Sequence, residues 1–161
     1  MLHRTCTGNR ARYRCHAFIS PWLHRGCDPR FSLILPTAMN AVLFDGSPSG
    51  DLMGDRVATE LMERLTLSGY HVRRVMLRDL DISDCSGCFG CWLKTPGQCM
   101  MADDNRLLSR FFMQSSLAIF MGPVTFGSHA PALKGMIDHL IANILPFFMT
   151  VAGETHHTKR Y

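Results

Sequence analysis

The hydrophobic positions of this chain form short continuous runs and spaced stripes, which predict strands and helices respectively. Ala41–Phe44 is a continuous apolar run that ends in a Gly/Ser/Pro-rich turn, as is typical of a parallel strand buried on both faces. The apolar residues between 57 and 65 recur on one helix face, and Gly69 follows them as a C-terminal cap. These positions predict a first unit of strand, turn and helix.

Two more strands and two more helices follow. His71–Leu77 predicts an edge strand because two arginines lie in its middle, whereas Leu117–Met121 predicts a strand that is apolar throughout. Asp103–Asn105 supply capping side chains for the helix that lies between these two strands. The last helix begins near Pro131 and is ended by Pro146. The apolar stripes of these helices are Leu107, Leu108, Phe111 and Phe112, and Leu133, Met136, Ile137, Leu140, Ile141 and Ile144.

This alternation predicts an α/β fold, in which a parallel sheet carries helices on both faces and the crossovers are right-handed. In such sheets ligands bind beyond the carboxyl ends of the strands, where the strand order reverses. If the first strand lies between the second and the third, the loops at 46–55 and 122–129 flank that point. We therefore expect the functional site at these two loops.

The two loops offer different chemistry. Gly46–Gly50 brings backbone N–H groups, two hydroxyls and a helix N-terminus to one point, which predicts a phosphate cradle without the Walker or dinucleotide spacing. Gly122–His129 combines glycines, an aromatic ring and short polar groups, which suits a flat heteroaromatic ligand. The alternatives are that the first loop is only a turn, that Phe126 anchors the core and that His129 is solvated.

Four cysteines fall within fifteen residues in the pattern C-x2-C-x2-C-x7-C, from Cys85 to Cys99. Successive x2 spacings allow the sulfurs to turn toward one centre, and the triple run resembles iron-sulfur ligation more than zinc ligation. Disulfides are not expected in a chain without a secretion signal. The alternative is that these thiols only shape a glycine-rich loop near the ligand and bind no cluster.

Composition and charge narrow the class of protein. The 161 residues, 47% of them hydrophobic, fit one globular domain, and no stretch approaches the roughly 20 apolar residues that a membrane span needs. The net charge is +4, the sum of +5 in residues 1–38 and −1 in residues 39–161. The folded part is therefore almost neutral, and nucleic acid is not an expected partner. Residues 1–38 show no periodicity and predict an unstructured or spurious extension before Met39, or alternatively a targeting peptide.

Three ordered motifs carry a family resemblance. They are DGSPSG after the first strand, CSGCFGCWLKTPGQC followed by two aspartates, and GPVTFGSHAPALKGMIDHL. Together they resemble the flavodoxin-like NAD(P)H-dependent FMN reductase superfamily, in the branch that contains the iron-sulfur flavoproteins. The resemblance extends from about Met39 to AGETHHTKRY at the end. It implies a three-layer flavodoxin-like sheet, bound FMN, NAD(P)H as co-substrate and, in the iron-sulfur version, a 4Fe-4S cluster.

The resemblance also implies where these groups bind. The FMN phosphate is expected on the first loop and the isoalloxazine ring against the second. The expected FMN-binding residues are Ser47, Pro48, Ser49, Gly50, Arg56, Pro123, Val124, Thr125, Phe126 and Gly127, and the expected cluster ligands are Cys85, Cys88, Cys91 and Cys99. Asp55 and Arg56 lie where relatives often have an Asn-Thr or Ser-Thr pair. Asp55 would repel a phosphate, and we expect Arg56 to offset it. The flavin carries the redox chemistry, so no general acid or base is expected.

Length sets a further expectation. Each strand-helix unit takes about 30 residues, and only Pro146–Tyr161 follow the third helix. We therefore expect an incomplete flavodoxin-like domain at residues 39–161, with strands in the order 2-1-3 and without the fourth and fifth strands. The expected function is that of a cytoplasmic FMN-dependent NAD(P)H oxidoreductase with a small-molecule or protein electron acceptor, no membrane partner and, by resemblance, a homo-oligomeric assembly. The alternative is a truncated, non-catalytic fragment that binds at most a metal through its cysteine loop.

Overall fold

The structure, a computed structural model, describes residues 39–161. The predicted extension at residues 1–38 lies outside the described residues. The strands are β1 (Asn40–Asp45), β2 (His71–Met76), β3 (Leu117–Met121), β4 (Val124–Thr125), β5 (Ser128–His129), β6 (Ile144–Val151) and β7 (Glu154–Lys159). The helices are α1 (Leu52–Leu67), α2 (Gly90–Leu93), α3 (Asn105–Gln114) and α4 (Pro131–His139), with 3₁₀ turns at Leu77–Asp79 and Leu140–Asn143.

The main sheet has three parallel strands in the order β2-β1-β3, as predicted. All six residues of β1 are buried, because its apolar side chains have a neighbouring strand on each side and packing on both faces. β2 is an edge strand, and its arginines are accommodated there. The guanidinium of Arg73 lies 4.6 Å from the centre of the Phe111 ring.

The core forms where one face of β1 meets α3 and α4. Its buried members are Val42, Phe44, Leu77, Leu108, Phe111, Ala130, Leu133 and Met136. Leu43 points to the opposite face of β1 and is also fully buried. Residues of α3 and α4 belong to this core cluster and residues of α1 do not, which fits the three layers that right-handed crossovers produce. The cover from α1 is thin, since Ala58 is its only buried residue.

The chain after α4 differs from the prediction of one helix reaching Ile144. α4 ends at His139, and residues 144–159 form an antiparallel hairpin of β6 and β7 for which no element was predicted. Proline disfavours helical conformation in the residue before it and donates no ladder hydrogen bond. The strand pairing accordingly shifts its register between Ile144 and Phe148, around Pro146. The turn residues Ala152 and Gly153 have positive φ angles of 52° and 87°, as a tight hairpin turn requires.

β3 pairs with β1 alone among the described residues. Although its sequence is apolar throughout, Phe120 is 38% exposed. Residues 39–161 therefore show the predicted strand order, and within them no further strand joins this sheet beside β3. Within the same residues, no helix has both the length and the apolar character needed to cross a bilayer.

Phe44 is the central ring of the core and stacks on Phe120, with ring centres 5.6 Å apart. We expect Phe44→Ala to lower the free energy of unfolding by about 3–5 kcal/mol, because it opens a cavity in a fully buried site. Phe44→Leu should cost less, about 1.5 kcal/mol or below. Urea denaturation followed by circular dichroism measures both. Phe120→Ala is the matched control, and a loss as large as that of Phe44→Ala would contradict the assignment of the core.

Candidate functional site

The loops that follow β1 and β3 meet at the base of the predicted crevice. The Gly46 N–H donates to the carbonyl oxygen of Met121 at 2.8 Å. A β-carbon at Gly122 would lie 3.5 Å from the backbone of Gly46, and one at Gly46 would lie 3.0 Å from Cβ of Leu133 in α4. The two loops and the start of α4 therefore contact one another closely, and glycine at 46 permits this.

The β1–α1 loop buries one of its two hydroxyl side chains. Ser47 is buried, and its N–H donates to Asp45 Oδ1 at 2.8 Å, whereas Pro48, Ser49 and Gly50 are exposed. Asp51 caps α1 by accepting a hydrogen bond from the Gly54 N–H at 2.9 Å. The amide groups of Ser49, Gly50 and Met53 have no acceptor among residues 39–161. These three donors at a helix start can receive an anion.

The charge of Asp55 is offset by Arg74, not by Arg56 as expected. Nη2 of Arg74 lies 2.6 Å from Asp55 Oδ1 and 2.5 Å from Asp45 Oδ2, and Nε lies 2.8 Å from the same Asp45 oxygen. Arg56 is exposed and makes no ion pair within the described part of the chain. The carboxylate that would repel a phosphate is thus already paired.

Burial and hydrogen bonding act in opposite directions on Asp45. Burial raises the pKa of this carboxyl, but hydrogen bonds from Ser47 and the charge of Arg74 outweigh it, so the pKa lies below the ordinary value of 3.8. For Arg74, burial lowers the pKa, and the two carboxylates outweigh it and raise the pKa. The pair is therefore ionised at neutral pH. Its contribution to stability is lost only as the pH falls below 3.8 through the folded-state pKa of Asp45.

The β3–α4 loop is a tight hairpin of β4 and β5. Phe126 and Gly127 occupy its turn with φ angles of 48° and 76°. The side chains of Val124 and Phe126 are fully or largely exposed, and Thr125 is half-buried. The alternative in which Phe126 anchors the core is therefore wrong, while His129 is exposed as that alternative expected. The hairpin presents apolar surface beside the first loop.

The four cysteines of the motif line one cavity of about 50 Å³. Cys91 is buried, Cys88 is exposed, and Cys85 and Cys99 are intermediate. The other lining residues are Ser86, Gly87, Phe89, Met100, Met101, His139, Ile141 and Ala142. Among residues 39–161, no three His, Cys, Asp or Glu side chains are placed to hold one metal ion. The structure thus brings the four thiols around a common space without forming a single-ion site.

Both ends of the cysteine segment are fixed by the aspartate pair before α3. Asp103 Oδ2 accepts from the Ser83 N–H at 3.1 Å, and Asp103 Oδ1 accepts from the Asn105 N–H at 3.1 Å. Asp104 Oδ2 accepts from the Asp81 N–H at 2.9 Å and makes no capping hydrogen bond to α3. The predicted capping role therefore belongs to Asp103, and both aspartates tie residues 81–83 to the start of α3.

The comparisons with known proteins agree with this geometry. Residues 39–159 match the family model of the NADPH-dependent FMN reductases. The chain belongs to this family. It is also 29% identical over 103 residues to an iron-sulfur flavoprotein of Archaeoglobus fulgidus, which is 64% of this chain and 46% of the relative. The chain thus spans about half the length of that curated relative. No solved structure matches it.

The two loops fit the cofactor that gives this family its name. On one side, amides just before and at the start of α1, which have no acceptor among residues 39–161, suit a phosphate, and the carboxylate of Asp55 is paired with Arg74. On the other side, the exposed Phe126 ring suits a flat ring system. Asp51 is the feature that opposes an anion, because its carboxylate already occupies the Gly54 amide. On balance the donor set fits FMN.

The donor set of the cysteine cavity fits a cluster better than a single ion. A single zinc ion needs its ligands to converge on one point about 2.3 Å from each sulfur, and residues 39–161 do not provide this. In an iron-sulfur cluster each thiolate binds a different iron atom, so the sulfurs surround a larger volume. The four cysteine thiols surround one cavity, which is the arrangement that a cluster needs.

Sequence reasoning missed several polar residues that hold these sites. Arg74 and Arg78 reach back to the first loop from β2 and the turn after it, and Nη1 of Arg78 donates to the Ser47 carbonyl at 3.2 Å. His139 lines the cysteine cavity; it is 4% exposed, and Nε2 has no partner among the described residues. The two arginines in β2, beside a strand that ends in Asp45, were the available signal for Arg74. Nothing local marked His139.

The thiols should differ in reactivity. Hydrogen bonds from the Gly90 N–H and Ser86 lower the pKa of exposed Cys88, whereas burial raises the pKa of Cys91. The thiolate is the form that reacts with iodoacetamide. In metal-free protein at neutral pH we therefore expect Cys88 to be modified at least about tenfold faster than Cys91. Mass spectrometry of the peptides measures both rates. Ser86→Ala should slow modification of Cys88 alone, and equal rates at the two thiols would contradict the prediction.

Proposed function

We propose that this chain binds FMN between the β1–α1 loop and the β4–β5 hairpin and serves as an NAD(P)H-dependent flavin oxidoreductase. The observation that carries the proposal is the contact of the two loops at Gly46 and Met121. It joins a set of free amide donors to an exposed aromatic hairpin, so that the phosphate and the ring of one ligand can be bound together. Membership of the FMN reductase family supports the same function.

Each part of the site has a distinct binding role. The residues proposed to hold the phosphate are Ser47, Pro48, Ser49, Gly50 and Arg56, and those proposed to lie along the ring are Pro123, Val124, Thr125, Phe126 and Gly127. When bound, FMN would accept a hydride from NAD(P)H and pass the electrons to an acceptor. The chain contributes the position of the ring and the exclusion of water from its covered face. No side chain of the site acts as a general acid or base.

We infer that the electrons pass to a small molecule or a redox protein. Residues 39–161 carry a formal charge of only −1, which gives no electrostatic reason to expect nucleic acid as a partner. We also propose, from the family resemblance, that the chain assembles as a homo-oligomer.

The role of the hairpin is tested by flavin binding. Phe126→Ser should weaken FMN binding about tenfold, because stacking on an aromatic ring contributes about 0.5–1.5 kcal/mol beyond area burial. Quenching of flavin fluorescence by the full chain measures the dissociation constant. Phe147→Ser is the matched control, since Phe147 is also exposed but belongs to β6. Colourless protein that releases no FMN after reconstitution would instead support the alternative of a non-catalytic fragment.

We also propose that the four cysteines hold a 4Fe-4S cluster that relays electrons from the flavin. The support is their common cavity, together with the similarity to a protein named as an iron-sulfur flavoprotein. Anaerobic reconstitution with ferrous iron and sulfide should load about four iron atoms on each chain. Cys91→Ser should abolish loading, whereas Cys15→Ser, outside the motif, should not. Iron retained by the Cys91 variant, or absent from the wild type, would exclude the cluster.

A further inference from the structure

The most deeply buried charge of the described residues lies directly under the first loop. Asp45 is the last residue of β1 and is fully buried. Its Oδ1 accepts the Ser47 N–H at 2.8 Å, and its Oδ2 accepts Nε and Nη2 of Arg74 at 2.8 and 2.5 Å. An isolated buried carboxylate is strongly unfavourable, so this arrangement depends on both partners.

Arg74 links three elements through one guanidinium group. It extends from β2, binds Asp45 at the end of β1 and binds Asp55 in the first turn of α1 at 2.6 Å. Only 20% of its side chain is exposed. The planar fork of arginine suits this two-sided contact, which lysine cannot reproduce. The edge strand thereby fixes the start of the loop at Ser47 and the helix that follows it.

The bridge has two effects on an anion at this loop. It holds the Ser47 N–H, and the amides of Ser49 and Gly50 that follow have no acceptor among residues 39–161. It also pairs the carboxylate of Asp55, in the first turn of the helix that follows those amides, with the Arg74 guanidinium. Asp51 and the exposed Arg56 and Arg78 are the other charged groups that surround the loop.

We propose that the Asp45–Arg74–Asp55 bridge is a positioning device that gives the site its preference for a phosphorylated flavin over riboflavin. The inference rests on the proposed FMN site and deepens it by naming residues outside the contact set. Arg74 is a positioning residue, because Nε and Nη2 of its guanidinium bind the two carboxylates and only 20% of its side chain is exposed. Its loss leaves Asp55 free to repel the phosphate and releases the anchor of Ser47, and neither change affects a ligand that lacks the phosphate.

The test compares two ligands that differ only in the phosphate. FMN and riboflavin are titrated separately into the full chain, and flavin fluorescence gives both dissociation constants. For Arg74→Met we expect FMN affinity to fall at least tenfold and riboflavin affinity to change less than threefold. Arg64→Met is the matched control, because Arg64 belongs to an exposed ion pair with Glu60 on α1. It should leave the preference for FMN intact.

Companion variants separate this role from a purely structural one. Arg74→Met leaves the buried carboxylate of Asp45 without its cation, which destabilises the fold. The double variant Arg74→Met with Asp45→Asn removes that charge as well, so the preference for FMN over riboflavin is measured without an unpaired buried carboxylate. Adding Asp55→Asn to Arg74→Met should restore part of the FMN affinity, because the repelling carboxylate is then gone. A merely destabilised loop would lose both flavins equally and would not be rescued in this way.

The outcomes are distinguishable from failure of the proposed function. Wild-type protein that binds neither flavin overturns the FMN site, and this inference with it. Wild-type protein that prefers FMN, together with Arg74 variants that fold and keep the same preference, overturns this inference alone. Loss of the preference in the Arg74 variants and its retention in Arg64→Met supports it.

Discussion

The hydrogen bond from the Gly46 N–H to the Met121 carbonyl is the contact on which the site depends. It exists because β1 lies between β2 and β3, so that the carboxyl ends of β1 and β3 are neighbours at one edge of the sheet. A β-carbon at Gly46 would lie 3.0 Å from Cβ of Leu133, so a larger residue there would push α4 away from the loops. The close approach of the two loops therefore requires both the strand order and this glycine.

The second constraint is electrostatic and lies just beneath the loop. Three carboxylates, those of Asp45, Asp51 and Asp55, surround a segment that is proposed to receive an anion. Each is already engaged, since Arg74 binds two of them and the Gly54 amide binds the third. The ion pairs of Asp45 and Asp55 with Arg74 therefore make this loop less adverse to a phosphate than its sequence suggests, and Asp51 is the carboxylate that still opposes an anion. The ion pairs and hydrogen bonds of these carboxylates fix the conformation of the loop without a ligand.

The parts of the fold that follow from periodicity were predictable from the sequence, and the rest depended on particular residues. The apolar run of β1 and the arginines of β2 predicted a central and an edge strand, and both predictions are confirmed. The hairpin after α4 was missed because its turn uses Ala152, which is not a usual residue for positive φ. Arg74 was missed because its partners lie 29 and 19 residues away, and the arginines of β2 indicated an edge strand without indicating which carboxylates they bind.

The two proposed sites share one helix, and this connects them physically. At its start α4 packs Leu133 against the loop glycine Gly46, and at its end His139 lines the cysteine cavity. Between them Gly135 lies against the segment that leads into the cysteines, where a β-carbon would be 3.3 Å from Ile82. Nine residues of helix span about 14 Å. A shift of α4 large enough to open one site must therefore disturb the wall of the other, so flavin loop and thiol cavity are parts of one packed unit.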